Sequence, residues 1–521
     1  MSDTIFELPL EPAGVPRGRA MIERAEWAAR AFSTYDAATV QRIVDAAAAA
    51  GAARAQEFAE WAVRETGFGV ARHKVIKNVA CSSGIAAAFR AADFVDPVID
   101  AAAKVVSVPR PAGVVLALTP STNPVATVYF KILLALLTRN AIVISPHPYA
   151  KAVCAEAART MADAAVAAGA PDGCIQVVDE PSIPLVNALM TDPRTDVIVA
   201  TGGSLMVRAA YRSGNPAIGV GPGNVPVLVD ASADLAAAAQ RIVESKGFDN
   251  SILCTNESVL IVEDSVADRL LAHMKRAGAH LLSDDDRDKV RDLVFPGGQV
   301  DTAWIGKDAT AIAAAAGVRV PSSTTVLLAP FDLVVPEEAL AHEKLFPVLG
   351  LVRVATAARG IDAARAVLRI TGEGHSAAIH STDPRTIMEF SAAVRVLRVS
   401  VNVGNSLGSS GISTNLAPSM TIGTGFFGRS AVGENLEPKH LVNWTRIAYN
   451  ADASVPMADF GGVVPWSVPE GVVPAYPRAS NDDGAPATAH ADLVETPVAG
   501  GELREEIRRL IIEELNAIVR G

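Results

Sequence analysis

The chain has 521 residues, half of them hydrophobic and 20% charged, so we expect a well-packed protein of two or more domains. A formal net charge of −11 and the lack of any basic cluster argue against nucleic acid as a partner. The four cysteines lack CxxC spacing and histidine-rich neighbours, which indicates no metal site and no disulfide framework and favours a reducing compartment.

The N-terminal segment has neither the basic region nor the apolar core of a targeting peptide. The longest apolar stretch, residues 132–137, is too short to cross a bilayer. We therefore expect a cytoplasmic protein with no membrane partner. Within residues 20–65, apolar side chains recur at helical spacing, for example at Val40, Ile43 and Val44, which predicts a helical lead-in.

Short β-rich runs alternate with Ala-rich helical segments between residues 111 and 230. Near-continuous runs of Val and Ile are typical of a parallel sheet that is covered by helices on both faces. The predicted strands are residues 113–118, 141–145, 175–178, 197–200 and 226–229. A ligand is expected beyond the carboxyl ends of such strands, where loops lead into helix N-termini.

Two loops that follow these strands have the composition of anion-binding turns, namely residues 119–124 and residues 201–204. Glycine lets the backbone approach a phosphate closely, and a helix N-terminus offers unpaired N–H groups to an anion. For residues 201–204 alone, an ordinary strand-to-helix turn is an equal alternative. The Gly-rich residues 219–224 lead into another strand, so they do not fit the dinucleotide-binding fingerprint.

Cys254 is a candidate nucleophile. It follows a loop rich in Gly, Asn and Ser and precedes the apolar run 259–262, a pattern that can present a thiol where a strand begins or ends. The thiolate is the attacking species, so a lowered pKa or a nearby base would be needed. Taken alone, such a cysteine is more often a small buried hydrophobic residue. We expect Cys81, Cys154 and Cys174 to be structural.

A second alternation of strands and helices follows Cys254 and predicts a second α/β domain. Its predicted strands are residues 259–262, 326–328, 350–354, 377–379 and 397–402, and its predicted helices are residues 265–277 and 358–370. Past these elements, residues 404–428 are rich in Gly and Ser and predict a loop.

A series of motifs, in the same order along the chain, resembles the CoA-acylating branch of the aldehyde dehydrogenase superfamily. The motifs cover about residues 20–450 and are Glu65-Thr-Gly-Phe-Gly69, Lys74-Val-Ile-Lys-Asn78, Thr122-Asn-Pro124, Ser145-Pro-His-Pro148, Ala200-Thr-Gly-Gly203, Gly219-Val-Gly-Pro-Gly-Asn224, the Cys254 loop, His342-Glu-Lys-Leu-Phe-Pro-Val348, Gly374-His-Ser-Ala-Ala-Ile-His380 and Pro418-Ser-Met-Thr-Ile-Gly423.

The resemblance implies the α/β aldehyde dehydrogenase fold. Residues 1–225 would hold the helical lead-in and a Rossmann-like NAD-binding domain, and residues 226–402 would form the catalytic domain. Residues 403–450 would form a return segment with a small oligomerisation element, in a homodimer or homotetramer.

The resemblance also implies a thiol mechanism with NAD as cofactor and coenzyme A as co-substrate. Cys254 would attack a small aldehyde, and the oxyanion of the thiohemiacetal would be held by the Asn123 amide and the Cys254 backbone N–H. Collapse of the adduct would transfer hydride to the nicotinamide and leave a thioester. Glu343 matches the family glutamate that holds the nicotinamide ribose. The expected cofactor-binding residues are Thr119, Pro120, Ser145, His147, Thr201, Gly202, Gly203, Gly221, Glu343 and Phe346.

Two departures from the hydrolytic relatives bear on the reaction. Those enzymes carry a glutamate base where this chain reads Gly221-Pro-Gly-Asn224. Without a base to activate water, a free thiol becomes the expected acyl acceptor. The second departure is Ser145-Pro-His147, where a lysine usually contacts the adenosine ribose. NAD is still favoured over NADP, because no Arg/Lys pair offers itself to a 2′-phosphate.

Other assignments stay open. A hydrolytic or phosphorylating dehydrogenase would share the fold and Cys254, and a sulfoacetaldehyde-type acylating enzyme is a further alternative. A non-catalytic interaction protein is the third class. For His375, His380 and His440, a buried and hydrogen-bonded structural role is the more common outcome.

The C-terminal region departs from the domain pattern. Residues 451–501 are predicted to be a linker, rich in Pro, Ala and Gly towards its end. Residues 502–521 return to helix formers with an apolar stripe at Leu503, Ile507, Leu510, Ile511, Leu515, Ile518 and Val519. This helix could dock on its own subunit or a dimer mate. A membrane surface is disfavoured because the polar face mixes acid and base.

The remaining interpretation of that helix is recognition in a groove of another protein. The pattern resembles the C-terminal encapsulation peptides of bacterial microcompartment cargo enzymes, which bind shell proteins. Such a location inside a microcompartment would suit a short, volatile aldehyde of the propionaldehyde or acetaldehyde type.

Overall fold

The computed structural model describes residues 11–12, 14–468 and 476, and it begins with a group of helices. These are α1 (Val15–Phe32), α2 (Ala37–Ala53), α3 (Ala55–Thr66), α4 (Ala71–Val79), a π-helical turn (Ala80–Gly84), α5 (Ile85–Ala88) and α6 (Ala92–Val95). The predicted stripe of Val40, Ile43 and Val44 is buried on α2, and the Asp36 side chain caps that helix by accepting from the Thr39 N–H. The helical lead-in is therefore confirmed.

The next elements include the strands of a five-stranded parallel sheet, here called the first sheet. They are β1 (Val98–Asp100), β2 (Val105–Pro111), β3 (Val114–Thr119), α7 (Pro124–Leu137), β4 (Ala141–Pro146), α8 (Lys151–Ala167), β5 (Ile175–Val177), α9 (Ile183–Thr191), β6 (Val197–Thr201), α10 (Ser204–Arg212) and β7 (Ala217–Val220). The order is β5-β4-β3-β6-β7, and every pair is parallel. Every residue of β3 and β4 is buried, which explains their continuous apolar composition.

The first sheet contains a point where the strand order reverses. The chain passes from β3 through β4 to β5 on one side and then returns to β6 on the other side of β3. The loops after β3 and β6 therefore lie next to each other at the carboxyl edge. In open α/β sheets this crevice is the expected ligand position.

A second parallel sheet follows. The remaining elements of the described residues are β8 (Val225–Val229), α11 (Leu235–Gly247), β9 (Glu257–Glu263), α12 (Asp264–Arg276), β10 (Ala279–Leu281), α13 (Asp284–Val294), α14 (Ala309–Ala315), β11 (Val326–Pro330), β12 (Val348–Val354), α15 (Ala357–Ile370), β13 (Ala377–His380), α16 (Pro384–Ala393), β14 (Val399–Val401), α17 (Asn405–Gly408) and β15 (Val442–Ala448). The order is β10-β11-β12-β9-β8-β13-β14, again all parallel. Cys254 stands in the short segment that leads into β9.

Two features of the strands differ from the sequence prediction. The run 226–229 forms β8, which pairs with β9 and β13 in the second sheet rather than extending the first. The first sheet is completed by β7 instead. A third, antiparallel sheet of β1, β2 and β15 was not predicted, because β2 contains two prolines and β15 is largely exposed.

The chain passes from the first sheet to the second between β7 and β8, and the predicted domain boundaries stay predictions. Across the described residues, no helix combines the length and apolarity needed to cross a membrane. Most of the predicted linker and the whole predicted C-terminal helix lie outside the residues that the structure describes.

Candidate active site

A cavity of about 960 Å³ lies at the reversal point of the first sheet. Its wall includes the loops after β3, β4 and β6 together with the Cys254 segment. Both predicted catalytic residues and all but one of the predicted cofactor residues line it, namely Cys254, Asn123, Thr119, Pro120, Ser145, His147, Thr201, Gly202, Gly203, Gly221 and Glu343. The fold thus brings residues from distant parts of the sequence into one site.

Phe346 is the exception, and its assignment to the cofactor is contradicted by the structure. Its side chain is fully buried in the core of the second sheet, where the ring packs edge-on against Phe295. Glu343 and Leu345 line the cavity, whereas the residues that follow each of them, Lys344 and Phe346, are buried. Alternation of this kind is typical of extended backbone, and it turns Phe346 away from the cavity.

The thiol of Cys254 is only partly buried, but it is held in its protonated form. Burial raises its pKa to about 12, with a further contribution from the nearby Glu343 carboxylate, and Arg398 opposes the shift. Because the thiolate is the nucleophile, the thiol needs a base or a change in its surroundings before it reacts at neutral pH.

The amide of Asn123 is oriented by a lysine. Asn123 precedes α7 without capping it, and its Oδ1 accepts a hydrogen bond of 2.5 Å from Lys77 Nζ. The same ammonium donates to Asp249 Oδ2 at 2.5 Å. Lys77 and Asp249 stand in the motifs that carry the family resemblance, but the sequence assigned them no role. The spacing of Lys74 and Lys77, which places both on one helix face, was the available signal.

The loop before β8 packs against the Cys254 backbone at Gly223. A Cβ atom at this position would lie 2.0 Å from the Cys254 carbonyl oxygen and 3.3 Å from the His375 ring. The Gly223 N–H donates to Glu343 Oε1 at 3.1 Å. Burial raises the pKa of Glu343 to about 8, although Gly223 and the lysines at 246 and 344 oppose that shift.

The position of the hydrolytic family's glutamate holds no acid in this loop. Asn224 is buried, and its Nδ2 donates to the backbone carbonyls of Ala341 at 2.9 Å and Val367 at 3.2 Å. Its side chain therefore anchors the loop rather than activating water. Of the described residues that line the cavity, Glu343 is the only carboxylate, and none is a lysine or arginine.

The three histidines have different surroundings. His375 is fully buried, and its Nε2 has no partner among the described residues. Burial, and then the charge of Arg398, lowers its pKa to about 3, so the ring is neutral. His380 is also buried, and neither His375 nor His380 is among the residues that line the cavity. His440 caps a turn by accepting from the Glu437 N–H. Of the three, His375 is the one that lies at the Gly223 turn, which packs on the Cys254 backbone.

The other cysteines are fully enclosed. Cys81, Cys154 and Cys174 are buried, and burial raises the pKa of each thiol. None of them lines the cavity. Their surroundings agree with the predicted structural role.

The cavity wall fits a dinucleotide. The N-terminus of α10 has no side-chain cap, and a Cβ on Gly203 would meet nothing within 4 Å, so its N–H groups are open to an anion. The buried Thr119 Oγ1 meets no geometric hydrogen-bond partner among the described residues, and the Cys154 thiol is its near neighbour. These groups fit a pyrophosphate, and the Glu343 carboxyl fits ribose hydroxyls.

Comparison with known proteins agrees with this geometry. The sequence model of the aldehyde dehydrogenase family matches residues 13–415. The bifunctional aldehyde-alcohol dehydrogenase AdhE of Escherichia coli K12 is 37% identical over 83% of this chain but only 49% of its own length, so the chain spans about half of such relatives. The succinate-semialdehyde dehydrogenase (acetylating) of Clostridium kluyveri is 35% identical over 84% of this chain and 96% of its own length.

Solved structures are similar over the same region. An acetylating aldehyde dehydrogenase from Geobacillus thermoglucosidasius has a TM-score of 0.82 and 36% identity over 84% of this chain and 97% of its own. A propionaldehyde dehydrogenase from the Clostridium phytofermentans fucose utilisation bacterial microcompartment has a TM-score of 0.77 and 26% identity over 83% and 97%. A Rhodopseudomonas palustris propionaldehyde dehydrogenase with bound CoA and an acylated cysteine has a TM-score of 0.75 and 28% identity over 83% and 97%.

The family match covers most of the chain, and the Clostridium kluyveri relative, at 35% identity, aligns over 96% of its own length. The two parallel sheets and their connections also agree with the predicted fold. On this evidence, the chain belongs to the aldehyde dehydrogenase family.

Proposed function

We propose that the chain is a CoA-acylating aldehyde dehydrogenase, which oxidises a short aldehyde with NAD and passes the acyl group to coenzyme A. One observation carries the proposal. Cys254 and Asn123 line the same cavity as the open N-terminus of α10, whereas the loop packed on Cys254 bears no carboxylate. The acetylating and propionaldehyde dehydrogenases among the similar proteins support the same reaction.

The chain's own residues account for the chemistry on sulfur. Cys254 Sγ bonds to the aldehyde carbon, the thiol proton passes to solvent, and the π electrons of the carbonyl group move to its oxygen, which becomes an oxyanion. The Asn123 Nδ2 and the Cys254 backbone N–H donate to that oxygen. Bound NAD, held by the groups at α10, Thr119 and Glu343, supplies the hydride acceptor. The product on the enzyme is a Cys254 thioester.

Transfer to coenzyme A rather than water follows from the acids and bases at the site. The loop at residues 221–224 carries no carboxylate that could deprotonate water. A thiol is far more acidic than water, so a weak base is sufficient for it. We assign this step to the neutral His375, whose Nε2 is unpartnered among the described residues.

The composition of the cavity wall also bears on the substrate and cofactor. Because the described wall has no lysine or arginine, it offers no charge to the sulfonate of sulfoacetaldehyde or to the 2′-phosphate of NADP. We therefore propose a short, neutral aldehyde of the propionaldehyde or acetaldehyde type, and NAD.

The decisive assay follows NADH formation with a panel of short aldehydes, with and without coenzyme A. The panel includes sulfoacetaldehyde, and NADP replaces NAD in a parallel series. We expect sustained turnover only with coenzyme A, with the acyl-CoA product identified by mass spectrometry. Sustained production of free acid without coenzyme A would support the hydrolytic alternative. Absence of any aldehyde oxidation would leave the non-catalytic alternative.

Two variants test the roles of the catalytic residues. Cys254→Ala should abolish turnover while NAD binding survives. Asn123→Ala should lower kcat by roughly 10²–10³, the usual effect of removing one oxyanion donor. More than a few per cent residual activity in the first variant, or less than a threefold loss in the second, would contradict these roles.

We also propose that the protein is cargo of a bacterial microcompartment, bound to shell proteins through residues 502–521 and assembled as a homodimer or homotetramer. The apolar stripe in that segment and the similarity to a microcompartment propionaldehyde dehydrogenase support this location.

A further inference from the structure

A buried ionic cluster joins α4 to the segment that carries Cys254. Lys74, Lys77 and Asp249 have exposed fractions of 3%, 1% and 0%. Asp249 Oδ2 lies 3.1 Å from Lys74 Nζ and 2.5 Å from Lys77 Nζ. Two ammonium groups thus share one carboxylate. Because a buried charge must be compensated, each lysine needs a further acceptor.

The further acceptors of the two lysines differ. Lys77 donates to the side-chain oxygen of Asn123 at 2.5 Å, whereas Lys74 donates to the backbone carbonyl of Thr122 at a longer 3.4 Å. An ammonium group can only donate hydrogen bonds. Asn123 must therefore turn its oxygen towards Lys77. One hydrogen of its NH₂ group reaches Thr122 Oγ1 at 3.3 Å, which leaves the other as the donor to the cavity. The reversed amide would place an oxygen against a developing oxyanion and repel it.

The carboxylate that holds Lys77 belongs to the loop of the nucleophile. Asp249 lies five residues before Cys254 and has a φ of 51°, in the left-handed region. It accepts from the Val70 N–H at 2.6 Å, and its own N–H donates to His73 Nδ1 at 2.8 Å. The loop before Cys254 is therefore tied to the same helix that carries Lys77, so the nucleophile and the oxyanion donor share one support.

We propose that Lys77, held by Asp249, is a positioning residue that fixes the polarity of the Asn123 amide towards the oxyanion formed on Cys254. This role rests on the proposed function only for the identity of the aldehyde that Cys254 attacks. It concerns any reaction in which Cys254 adds to a carbonyl group.

The test compares Lys77→Met with Lys74→Met. The two lysines share a helix, a carboxylate partner and a degree of burial, but only Lys77 contacts the Asn123 side chain. We expect Lys77→Met to lower kcat by about 10², as loss of the oxyanion donor would. The KM for NAD should change less than about twofold, and Lys74→Met should lose less than about tenfold. Lys77→Arg should recover part of the rate, because arginine also only donates.

A double-variant cycle separates positioning from a general loss of structure. In an Asn123→Ala background, Lys77→Met should cost less than about threefold, because there is no amide left to orient. Lys74→Met should cost the same factor in either background. A loss from Lys77→Met that is equal with and without the Asn123 side chain would overturn the proposal, as would equal losses from the two lysine variants.

An ester substrate makes this test independent of the proposed function. Cys254 can attack p-nitrophenyl acetate without NAD or coenzyme A: the S–C bond forms, p-nitrophenolate leaves, and the thiol proton passes to solvent. If the acylation burst falls in Lys77→Met while no aldehyde is oxidised with coenzyme A, the inference stands and the proposed function fails. If Lys77→Met does not fold, Lys77→Gln and Lys77→Arg replace it. Equal burst rates in those two variants would overturn the proposal, since glutamine can also accept.

Discussion

The thiol of Cys254 and the carboxyl of Glu343 influence each other's charge. Burial raises the pKa of both groups, and ionised Glu343 raises that of the thiol further. A raised thiol pKa means that the thiolate fraction, and with it the rate of alkylation, keeps increasing with pH through pH 9. Glu343→Gln removes the negative charge and should speed iodoacetamide labelling of Cys254 at pH 8 by about three- to tenfold, the size of a shift of up to one pKa unit.

This labelling is measured without cofactor, by mass spectrometry of the peptide that contains Cys254. The same peptide in Cys254→Ser gives the background level of iodoacetamide labelling. An unchanged rate in Glu343→Gln would show that the carboxyl is already neutral at pH 8. A rate that reaches a plateau below pH 9 would show that the thiol pKa is not raised.

Gly223 provides a second test at the residue scale. A Cβ atom there would lie 2.0 Å from a backbone oxygen, which cannot be relieved by rotating a side chain. Gly223→Ala must therefore displace the Cys254 segment, and we expect turnover to fall by at least about 10², since small misplacements of reacting groups have effects of that size. Labelling of Cys254 by iodoacetamide should change as well.

Gly221→Ala is the matched control, because a Cβ at Gly221 in the same loop would make only an ordinary contact of 3.6 Å with Thr424. Its Cys254 should be labelled at the wild-type rate, although its KM for NAD can rise. Wild-type turnover in Gly223→Ala would mean that this loop does not pack on Cys254 as described.

Single residues could be predicted from the sequence where a short motif carries them. Cys254, Asn123 and Glu343 were identified in this way, and all three line the cavity. Lys77 and Asp249 were not, because they are 172 positions apart and only the fold shows their contact. Phe346 was misassigned because the alternation of an extended segment depends on its register, which the motif does not state.

At the scale of elements, Lys131 joins the carboxyl ends of two central strands. Its buried amino group donates to the carbonyls of Leu118 on β3 and Val199 on β6, both at 2.8 Å, and burial holds its pKa well below the usual range. These strands lead directly into the cavity loops at Thr119 and Thr201. The contact therefore fixes the spacing of the loops that we assign to the cofactor.

We predict that Lys131→Met lowers stability and weakens NAD binding together. Leaving buried carbonyls without their donor costs about 1–3 kcal/mol, so the thermal midpoint should fall and the KM for NAD should rise. Lys151→Met is the control, because its ion pair with Glu180 is exposed and is worth about 0–1 kcal/mol. A lower midpoint with an unchanged KM for NAD would show that the contact does not reach the cavity loops.

Strands could be predicted from the sequence where nearly all of their residues are buried, because burial then requires an unbroken apolar run. The strands β3, β4 and β6 are almost wholly buried, so their runs of Val, Leu, Ile and Ala were legible in the sequence. The strands β2 and β15 pair with each other across more than 300 residues. Most residues of β15 are exposed and β2 contains two prolines, so no long apolar run marks them. Their pairing is a property of the whole fold.

The whole molecule could be predicted as two α/β alternations, and two parallel sheets were found. The order of strands within each sheet could not be predicted, because neighbours such as β8 and β13 are far apart in the chain. The assignment of β8 to the second sheet shows the limit: a strand's composition indicates burial, but only its pairing decides the sheet to which it belongs.

The last prediction concerns residues 472–521, most of which lie outside the described part of the chain. The predicted linker and helix imply that the apolar stripe is bound by another protein, so deleting residues 477–521 should leave kcat nearly unchanged. A fluorescent protein that carries residues 472–521 should co-purify with microcompartment shells. Replacing Ile507, Leu510 and Ile511 with Glu should disperse it, because lost apolar area at about 25 cal/mol/Å² removes several kcal/mol, enough to abolish a micromolar contact.

The matched control changes the polar face of the same helix. Glu505→Gln, Glu513→Gln and Glu514→Gln together keep the apolar stripe intact, so that fusion should still co-purify with the shells. If both altered fusions disperse equally, charge rather than the stripe determines binding. If the unaltered fusion stays diffuse while the deletion breaks the oligomer or the activity, the helix docks on its own subunit or a dimer mate, and the microcompartment location is wrong. Because the deletion is assayed for turnover and the fusion for location, the two outcomes are independent of each other.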